Sequence, residues 1–140
     1  MNYYILALKK AFDFRSRSSR PEYWYFVLFN IIFAIAAMII DRVLGTTFSI
    51  DSGYGGQVDM GYGYVYVLYA LVLLIPGLAA GVRRLHDIGK SGWMLLIGLI
   101  PLIGAIWLIV LFVKDSEPGE NKWGPNPKNI PLVDGDQLRI

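Results

Sequence analysis

His86 and Asp87 are adjacent side chains of the kind that perform acid–base chemistry in enzymes. In hydrolases a carboxylate orients an imidazole, which then accepts and returns a proton. Neighbouring residues of a helix point about 100° apart, so these two side chains are not expected to face each other. Spacing supplies no nucleophile either, because Ser91 is better placed to cap a helix. We therefore predict structural roles and no enzymatic activity, and keep a membrane-interface enzyme that uses His86 and Asp87 as an alternative.

Basic side chains form a second group of candidate functional residues, because they lie next to long apolar runs. Guanidinium groups present forked donors that suit phosphate oxygens at the depth of lipid headgroups. We predict contact with anionic lipid headgroups or with a membrane partner by Arg17, Arg20, Arg83, Arg84 and Lys90. The competing interpretation is that these side chains anchor the chain at the membrane surface and pair internally with Glu22 and Asp87.

The composition excludes several classes of site. The sequence has no cysteine, which rules out disulfides, thiolate nucleophiles and thiolate metal ligands. It has a single histidine, so a multi-histidine metal site cannot form within one chain. The formal net charge of +2 is too small and too scattered for a nucleic-acid interface. We predict no metal, no cofactor and no nucleic-acid partner.

Three long apolar runs must position the polar groups. They cover about 23–40, 64–82 and 93–113, and none contains Lys, Arg, Asp or Glu. A helix rises about 1.5 Å per residue, so each run can cross a hydrocarbon core about 30 Å thick. In lipid the backbone must be helical, and a soluble helix would need the polar face that these runs lack. The sequence predicts an all-α membrane protein with about three transmembrane helices.

Several polar residues are expected to hold these helices in place. Ser19 and Glu22 fit a capping box at the start of the first helix, with Pro21 in its first turn. Asn30 is the only strongly polar residue of the first run, and we expect it to hydrogen-bond another helix or another protomer. The second helix should continue past the apolar run and end at Gly89. The predicted structural polar residues are Ser19, Glu22, Asn30, His86 and Asp87.

The remaining segments differ from the runs in composition. Residues 1–14 place apolar side chains at helical spacing, which predicts an amphipathic helix at the membrane interface. Residues 41–63 are rich in Gly, Ser, Thr and Asp and are predicted to form an irregular loop. We predict one membrane domain over 1–127, with an irregular C-terminal tail whose last part, 128–140, is flexible.

The third run leaves the topology open because it contains Gly98, Pro101 and Gly104. Proline removes a helical hydrogen bond, so we expect a kinked helix that still crosses the membrane. The alternative is a re-entrant hairpin, which would return the tail to the side from which the run entered. Positively charged residues mark the cytoplasmic side, and their distribution favours a cytoplasmic N-terminus in either case.

Four motifs in this order are similar to those of a family of small bacterial inner-membrane proteins known as domain of unknown function 805. They cover about residues 12–127 and comprise Arg17–Trp24, Arg83–Trp93, Ile100–Gly104 and Gly119–Pro127. The resemblance implies a bacterial inner (plasma) membrane location and carries no activity with it. Lys90 stands where Arg is also common in the family, which keeps the charge and loses the forked donor. The glycine-rich first loop lies outside the family pattern.

Three functional hypotheses follow. The first is a non-enzymatic integral membrane protein that binds anionic lipid headgroups, or a membrane partner, through its basic clusters. The second is an oligomeric channel or transporter component for a small anion, although no run carries a charge. The third is the membrane-interface enzyme considered above. The expected partners are membrane lipids and either a second copy of the chain or another membrane protein.

Overall fold

The computed structural model describes residues 2–129, and most of these are helical. The four α-helices are α1 (Asn2–Lys9), α2 (Arg20–Leu44), α3 (Tyr64–Asp87) and α4 (Ile103–Val113). A 3₁₀ helix, Gly92–Leu99, precedes α4, and a 3₁₀ turn, Pro127–Asn129, follows it. Strands β1 (Thr47–Asp51) and β2 (Gln57–Gly63) lie between α2 and α3. The predicted flexible segment 128–140 falls outside the described residues except for its first two positions.

Helices α2 and α3 contain the first two predicted spans. They have 25 and 24 residues and are long and apolar enough to cross a membrane, with lengths of about 37 Å and 36 Å. Only 11% and 22% of their most apolar windows are buried. The core helices of a soluble protein would bury these residues, so the exposed apolar surface is suited to contact with lipid.

The third apolar run differs from the prediction of one kinked spanning helix. Its 3₁₀ helix and α4 lie side by side and form an apolar helical hairpin. A Cβ added at Gly98 would stand 2.9 Å from a methyl carbon of Leu108, on the opposite arm. Each arm is about 16 Å long, half the thickness of a hydrocarbon core. The described residues therefore contain two helices of spanning length, and the predicted third span is not confirmed.

The sequence between the arms explains why the run turns back. Pro101 lacks an amide hydrogen and disfavours the helical conformation of the residue before it. Leu102 has a φ of 60°, and the amide of Ile103 donates to the Pro101 carbonyl at 2.7 Å, which closes a tight turn. Gly104 lets the arms touch, because a Cβ there would overlap the Ile97 carbonyl. Because Pro101, Leu102 and Gly104 lie within four residues, the chain reverses direction here, where the sequence predicted only a kink.

The loop after α2 contains a β-hairpin, so the predictions of an irregular loop and of an all-α protein were wrong at this point. β1 and β2 pair antiparallel, with Asp51 opposite Gln57. Between the strands, Gly53 and Gly55 take positive φ values of 74° and 83°, which glycine adopts without a steric penalty. The many glycines that indicated an irregular loop therefore build the turn.

Asp41, to which sequence reasoning assigned no role, joins this hairpin to the helices. Its buried carboxylate accepts hydrogen bonds from the backbone amides of Gly63 (3.0 Å), Val65 (2.9 Å) and Tyr66 (2.9 Å). These amides lie at the start of α3, where a negative charge is stabilising. A Cβ at Gly63 would stand 2.8 Å from Asp41 Oδ1, so glycine allows this close approach.

The N-terminal helix packs against both long helices. Ala7 of α1 is 1% exposed and packs in a cluster with Phe26 and Ala80, and the ring of Tyr4 stacks on Phe26 with centroids 5.9 Å apart. α1 ends at Lys9, before the predicted limit at residue 14. Its location at a membrane interface stays a prediction.

Candidate functional site

The basic residues gather at one end of the structure, where α2 begins and α3 ends. This charged end also carries the segments before α2 and after α4. Eleven of the twelve Lys and Arg residues between 2 and 129 belong to it. The exception is Arg42, at the opposite end of α2 beside the β-hairpin. The helical hairpin produces this grouping, because it brings the segment after α4 back to the end of α3.

A buried cluster of charges lies at the centre of the charged end. The Asp87 carboxylate is fully buried; Oδ1 accepts from Arg17 Nε at 3.1 Å and Oδ2 from Arg84 Nη1 at 2.5 Å. Oδ2 also accepts from the Ser116 hydroxyl at 2.6 Å. These four side chains come from the segment before α2, from the end of α3 and from the segment after α4. One buried carboxylate thus joins three separate parts of the chain.

Arg17 attaches the C-terminal segment to this cluster. Its Nη1 donates to the carbonyls of Gly119 at 2.8 Å and Gly124 at 3.2 Å. Its Nη2 donates to the carbonyls of Glu117 at 2.7 Å and Asp87 at 3.2 Å. A guanidinium has five donors in a fixed plane, so the Arg17 side chain can hydrogen-bond several carbonyl groups of an irregular backbone segment at once.

Arg84 attaches the end of α4. Its Nε donates to the Phe112 carbonyl at 3.0 Å, and its Nη2 donates to the carbonyl of Lys114. The last turn of a helix leaves carbonyl groups without helical partners, and a guanidinium can satisfy them. Both ends of the helical hairpin are therefore held near the end of α3.

Arg83 and Glu22 form a second buried pair. Arg83 Nη2 lies 3.8 Å from Glu22 Oε1, and Arg83 Nη1 donates to the carbonyls of Lys10 and, at 3.0 Å, of Asp13. Ser19 accepts from the Glu22 amide at 3.5 Å, and the Glu22 carboxylate is turned toward Arg83. The predicted capping box is thus present in one direction only, because Glu22 pairs with a buried charge.

These contacts overturn part of the predicted lipid-binding set. Arg17, Arg83 and Arg84 are 4%, 0% and 0% exposed, so their guanidinium groups cannot reach a lipid headgroup. The competing interpretation, internal pairing with Glu22 and Asp87, describes them. Lys90 is exposed. Arg20 keeps 42% of its side chain exposed and pairs with Asp115 at 3.3 Å.

His86 lies apart from this cluster. Its Nδ1 is 3.3 Å from the Ser16 carbonyl, and its ring stacks on Trp123 with centroids 4.3 Å apart and planes 11° apart. The hydrogen bonds described for the Asp87 carboxylate go to Arg17, Arg84 and Ser116, and none to His86. The arrangement therefore lacks the carboxylate–imidazole contact that an acid–base pair requires.

An apolar groove of about 580 Å³ opens beside His86, between α3 and the 3₁₀ helix. It is lined by Phe14, Leu78, Val82, His86, Ser91, Gly92, Trp93, Leu95, Leu96 and Trp123. Lys122 stands at its rim, with Nζ 4.2 Å from the Trp123 ring centroid. Trp123 lies in the tail motif, yet sequence reasoning assigned it no role, since nothing local indicates a contact with residue 86.

Asn30 joins the two long helices. Its side-chain oxygen accepts from the Tyr69 hydroxyl at 2.6 Å, and its amide donates to the Phe26 carbonyl at 2.8 Å. A polar side chain on an apolar helix is thereby satisfied within the structure.

Two carboxylates outside the long helices have perturbed acidity. A hydrogen bond from Lys128 is the main cause that lowers the pKa of Asp115, aided by the Ser116 amide. Burial alone would raise the pKa of Asp13, but hydrogen bonds from Ser16 and the Arg15 amide outweigh it and lower that pKa. Residues 2–129 contain no group of three or more His, Cys, Asp or Glu side chains that could hold a metal ion.

Comparison with known proteins agrees with the motifs. The sequence profile described as "Protein of unknown function (DUF805)" matches residues 11–125. The chain is 38% identical over 131 residues to "Inner membrane protein YhaH" of Escherichia coli K12, covering 94% of this chain and 100% of that protein. It is 34% identical over 128 residues to "Inner membrane protein YhaI" of the same strain, covering 91% of this chain and 97% of that protein. No solved structure matches the chain. The extent of these matches confirms the resemblance, and the chain belongs to the DUF805 family of proteins of unknown function.

Proposed function

We propose that this chain is a non-enzymatic, multi-pass protein of the bacterial inner membrane that binds anionic lipid headgroups at its charged end. The observation that carries the proposal is the gathering of eleven of twelve basic residues at one end of two spanning-length helices. Basic residues mark the cytoplasmic side of a membrane protein, and each one that faces water near the membrane surface contributes about 1 kcal/mol to attraction by anionic lipid. The names of both E. coli relatives support the inner membrane as the location.

The proposed topology has α2 and α3 crossing the bilayer and the helical hairpin entering from the cytoplasmic side. Both the segment before α2 and the segment after α4 are then cytoplasmic, and the β-hairpin lies outside. A membrane-impermeant maleimide tests this arrangement, because the chain has no cysteine of its own. Tyr54→Cys, at a side chain 99% exposed in the β-hairpin, should react in intact spheroplasts. Glu120→Cys should react only after lysis, and the reverse pattern would reject the topology.

The lipid contacts are assigned to exposed cations, because the buried arginines already have internal partners. Lys90 and Lys122 are exposed at the groove, and Arg20 is partly exposed nearby. Such contacts weaken as salt concentration rises, because mobile ions screen charges that face water. The buried arginines should instead contribute to the stability of the charged end.

The lipid proposal is tested by reconstitution into nanodiscs that contain phosphatidylcholine and phosphatidylglycerol, with mass spectrometry of the lipids retained after dilution in detergent. Lys90→Ala with Lys122→Ala should reduce retained phosphatidylglycerol about tenfold or more, from roughly 1 kcal/mol per charge. Arg42→Ala is the matched control, since this exposed arginine lies at the opposite end. Equal loss in the control, or no loss in the double variant, would contradict the proposal.

A second candidate, an oligomeric membrane component, is favoured by the turn of the helical hairpin. Leu99 and Leu102 at the turn are both 79% exposed, and nonhelical backbone at membrane depth requires protein cover. A second copy of the chain could supply that cover. Leu102→Cys should then form a disulfide between copies under mild oxidation, whereas Val43→Cys, equally exposed at 79% near the end of α2, should not. Monomers in both variants would remove this candidate.

A further inference from the structure

The groove beside His86 has the chemical character of a site for a single amphipathic molecule. Its volume of about 580 Å³ falls within the range of ligand sites. One part is formed by aliphatic side chains of α3 and the 3₁₀ helix, including Leu78 and Leu96, which are 44% and 55% exposed. The other part lies at the charged end, where His86 and Trp123 line it. An acyl chain suits the first part and a headgroup suits the second.

The hydrogen bond of His86 determines what its other ring nitrogen can do. Nδ1 faces the Ser16 carbonyl, which can only accept, so Nδ1 must carry the hydrogen. In a neutral imidazole Nε2 is then an acceptor without a hydrogen. Nε2 has no hydrogen-bond partner within residues 2–129 and is not fully enclosed, although the residue as a whole is only 6% exposed. Because Nε2 is not sealed from the groove that His86 lines, a hydroxyl group of a bound ligand can donate to it.

The positive charges at the rim of the groove favour a negatively charged ligand. Lys122 lies over Trp123, and Lys90 is exposed directly before Ser91 and Gly92, which line the groove. Two cations beside a headgroup-sized space complement a phosphate diester. They also disfavour a zwitterionic lipid, whose ammonium group would be brought close to like charge.

We propose that the groove binds one anionic phospholipid whose headgroup carries a hydroxyl group, as phosphatidylglycerol does. The phosphate lies between the rim lysines, and the headgroup hydroxyl donates to Nε2 of His86. The inference deepens the proposed lipid binding and rests on it. It adds recognition of the headgroup hydroxyl, which attraction by charge alone would not produce. A quinone is a poorer fit, because Nε2 cannot donate to its carbonyl groups and a neutral ligand brings no negative charge to the two rim lysines.

Quenching of tryptophan fluorescence by brominated lipids tests the site directly. Trp24→Phe with Trp107→Phe leaves Trp93 and Trp123, the two tryptophans that line the groove. The protein is reconstituted in phosphatidylcholine vesicles that contain a minor fraction of one lipid with brominated chains. The three lipids compared are phosphatidylglycerol, phosphatidylmethanol, which has the same charge and no hydroxyl, and phosphatidylcholine.

Phosphatidylglycerol should bind about fivefold more strongly than phosphatidylmethanol, the effect of one net hydrogen bond, and both should exceed phosphatidylcholine. His86→Asn keeps an amide that can donate to Ser16 and removes the acceptor, so it should bring phosphatidylglycerol down to the level of phosphatidylmethanol. Lys90→Ala with Lys122→Ala should weaken both anionic lipids equally.

The outcomes separate the two proposals without depending on any single variant. Equal quenching by phosphatidylglycerol and phosphatidylmethanol in the otherwise unmodified chain would overturn recognition of the hydroxyl and leave charge-based binding intact. Equal quenching by all three lipids would overturn both. Should His86→Asn fail to fold, His86→Gln serves instead. It places an amide near the Nε2 position, and its carbonyl oxygen should retain part of the preference for phosphatidylglycerol.

Discussion

Asp87→Asn is the substitution that most directly tests the buried cluster at the charged end. The aspartate has two oxygens, one facing Arg17 at 3.1 Å and the other facing Arg84 at 2.5 Å and Ser116 at 2.6 Å. Asparagine preserves the shape but loses the charge and replaces one oxygen with a donor. Whichever way the amide is turned, it points an N–H group at a guanidinium that also only donates.

The expected loss follows from the burial of all three charged groups. Asp87 and Arg84 are 0% exposed and Arg17 is 4% exposed, so water cannot replace the missing carboxylate. Removing one partner of a buried ion pair costs about 3–5 kcal/mol, because the other charge stays buried without compensation. For a chain of this size that loss corresponds to a fall of about 10–20 °C in the unfolding midpoint.

The assay is thermal unfolding of the purified protein in detergent micelles, followed by far-UV circular dichroism. Asp115→Asn is the matched control, because Asp115 is a partly exposed carboxylate that also pairs with basic residues, Lys128 and Arg20. Its midpoint should stay close to that of the unmodified chain, since exposed ion pairs contribute little. Equal midpoints for the two variants would refute the reasoning that Asp87 holds the charged end together.

Three further predictions concern other parts of the fold. Gly63→Ala should destabilise the protein in the same assay, because its Cβ would lie 2.1 Å from the Thr46 carbonyl oxygen and 2.8 Å from Asp41 Oδ1, whereas Gly77→Ala, with no atom within 4 Å of the added Cβ, should not. Tyr69→Phe should lower the free energy of unfolding by about 0.5–2 kcal/mol through loss of the hydrogen bond to Asn30; an unchanged value would show that this bond contributes nothing. Asp13 has a lowered pKa in the folded state, so its stabilising contribution exists above its ordinary pKa and disappears as the pH falls through the folded value. The unfolding midpoint of Asp13→Asn should therefore fall less than that of the unmodified chain between about pH 5 and pH 3.

The sequence predicted most reliably the features that depend on local composition. The long uncharged runs predicted α2 and α3, because a single apolar segment in lipid can pair all its backbone polar groups only as a helix. The motif Arg83–Trp93 was sufficient to recognise the family. The helix end near Gly89 was also expected, and Gly89 has a φ of 72°, a conformation that glycine adopts freely.

The roles of the arginines could not be predicted in the same way. Arg17 contacts residues 70 and 107 positions away in the chain, and several of its acceptors are backbone carbonyls of an irregular segment. Carbonyl groups are present at every residue and leave no pattern in the sequence. A basic cluster beside an apolar run therefore looks the same whether it faces lipid headgroups or an internal carboxylate.

The sequence alone indicates that lipid surrounds the long apolar runs of this protein. The preference of an uncharged apolar run for lipid is a sum over its residues, so it does not depend on how the helices pack. The path of the third apolar run and the surface available for binding were decided by the tertiary structure. The turn at Ile100–Leu102 folds the third run back on itself, and three of the four arginines predicted to contact lipid, Arg17, Arg83 and Arg84, pair inside the fold. The arginine contacts depend on which distant groups meet. The bend itself begins at local features, but its completion into a hairpin depends on the packing of one arm against the other, as at Gly98 and Leu108. Both kinds of contact exist only once the chain has folded.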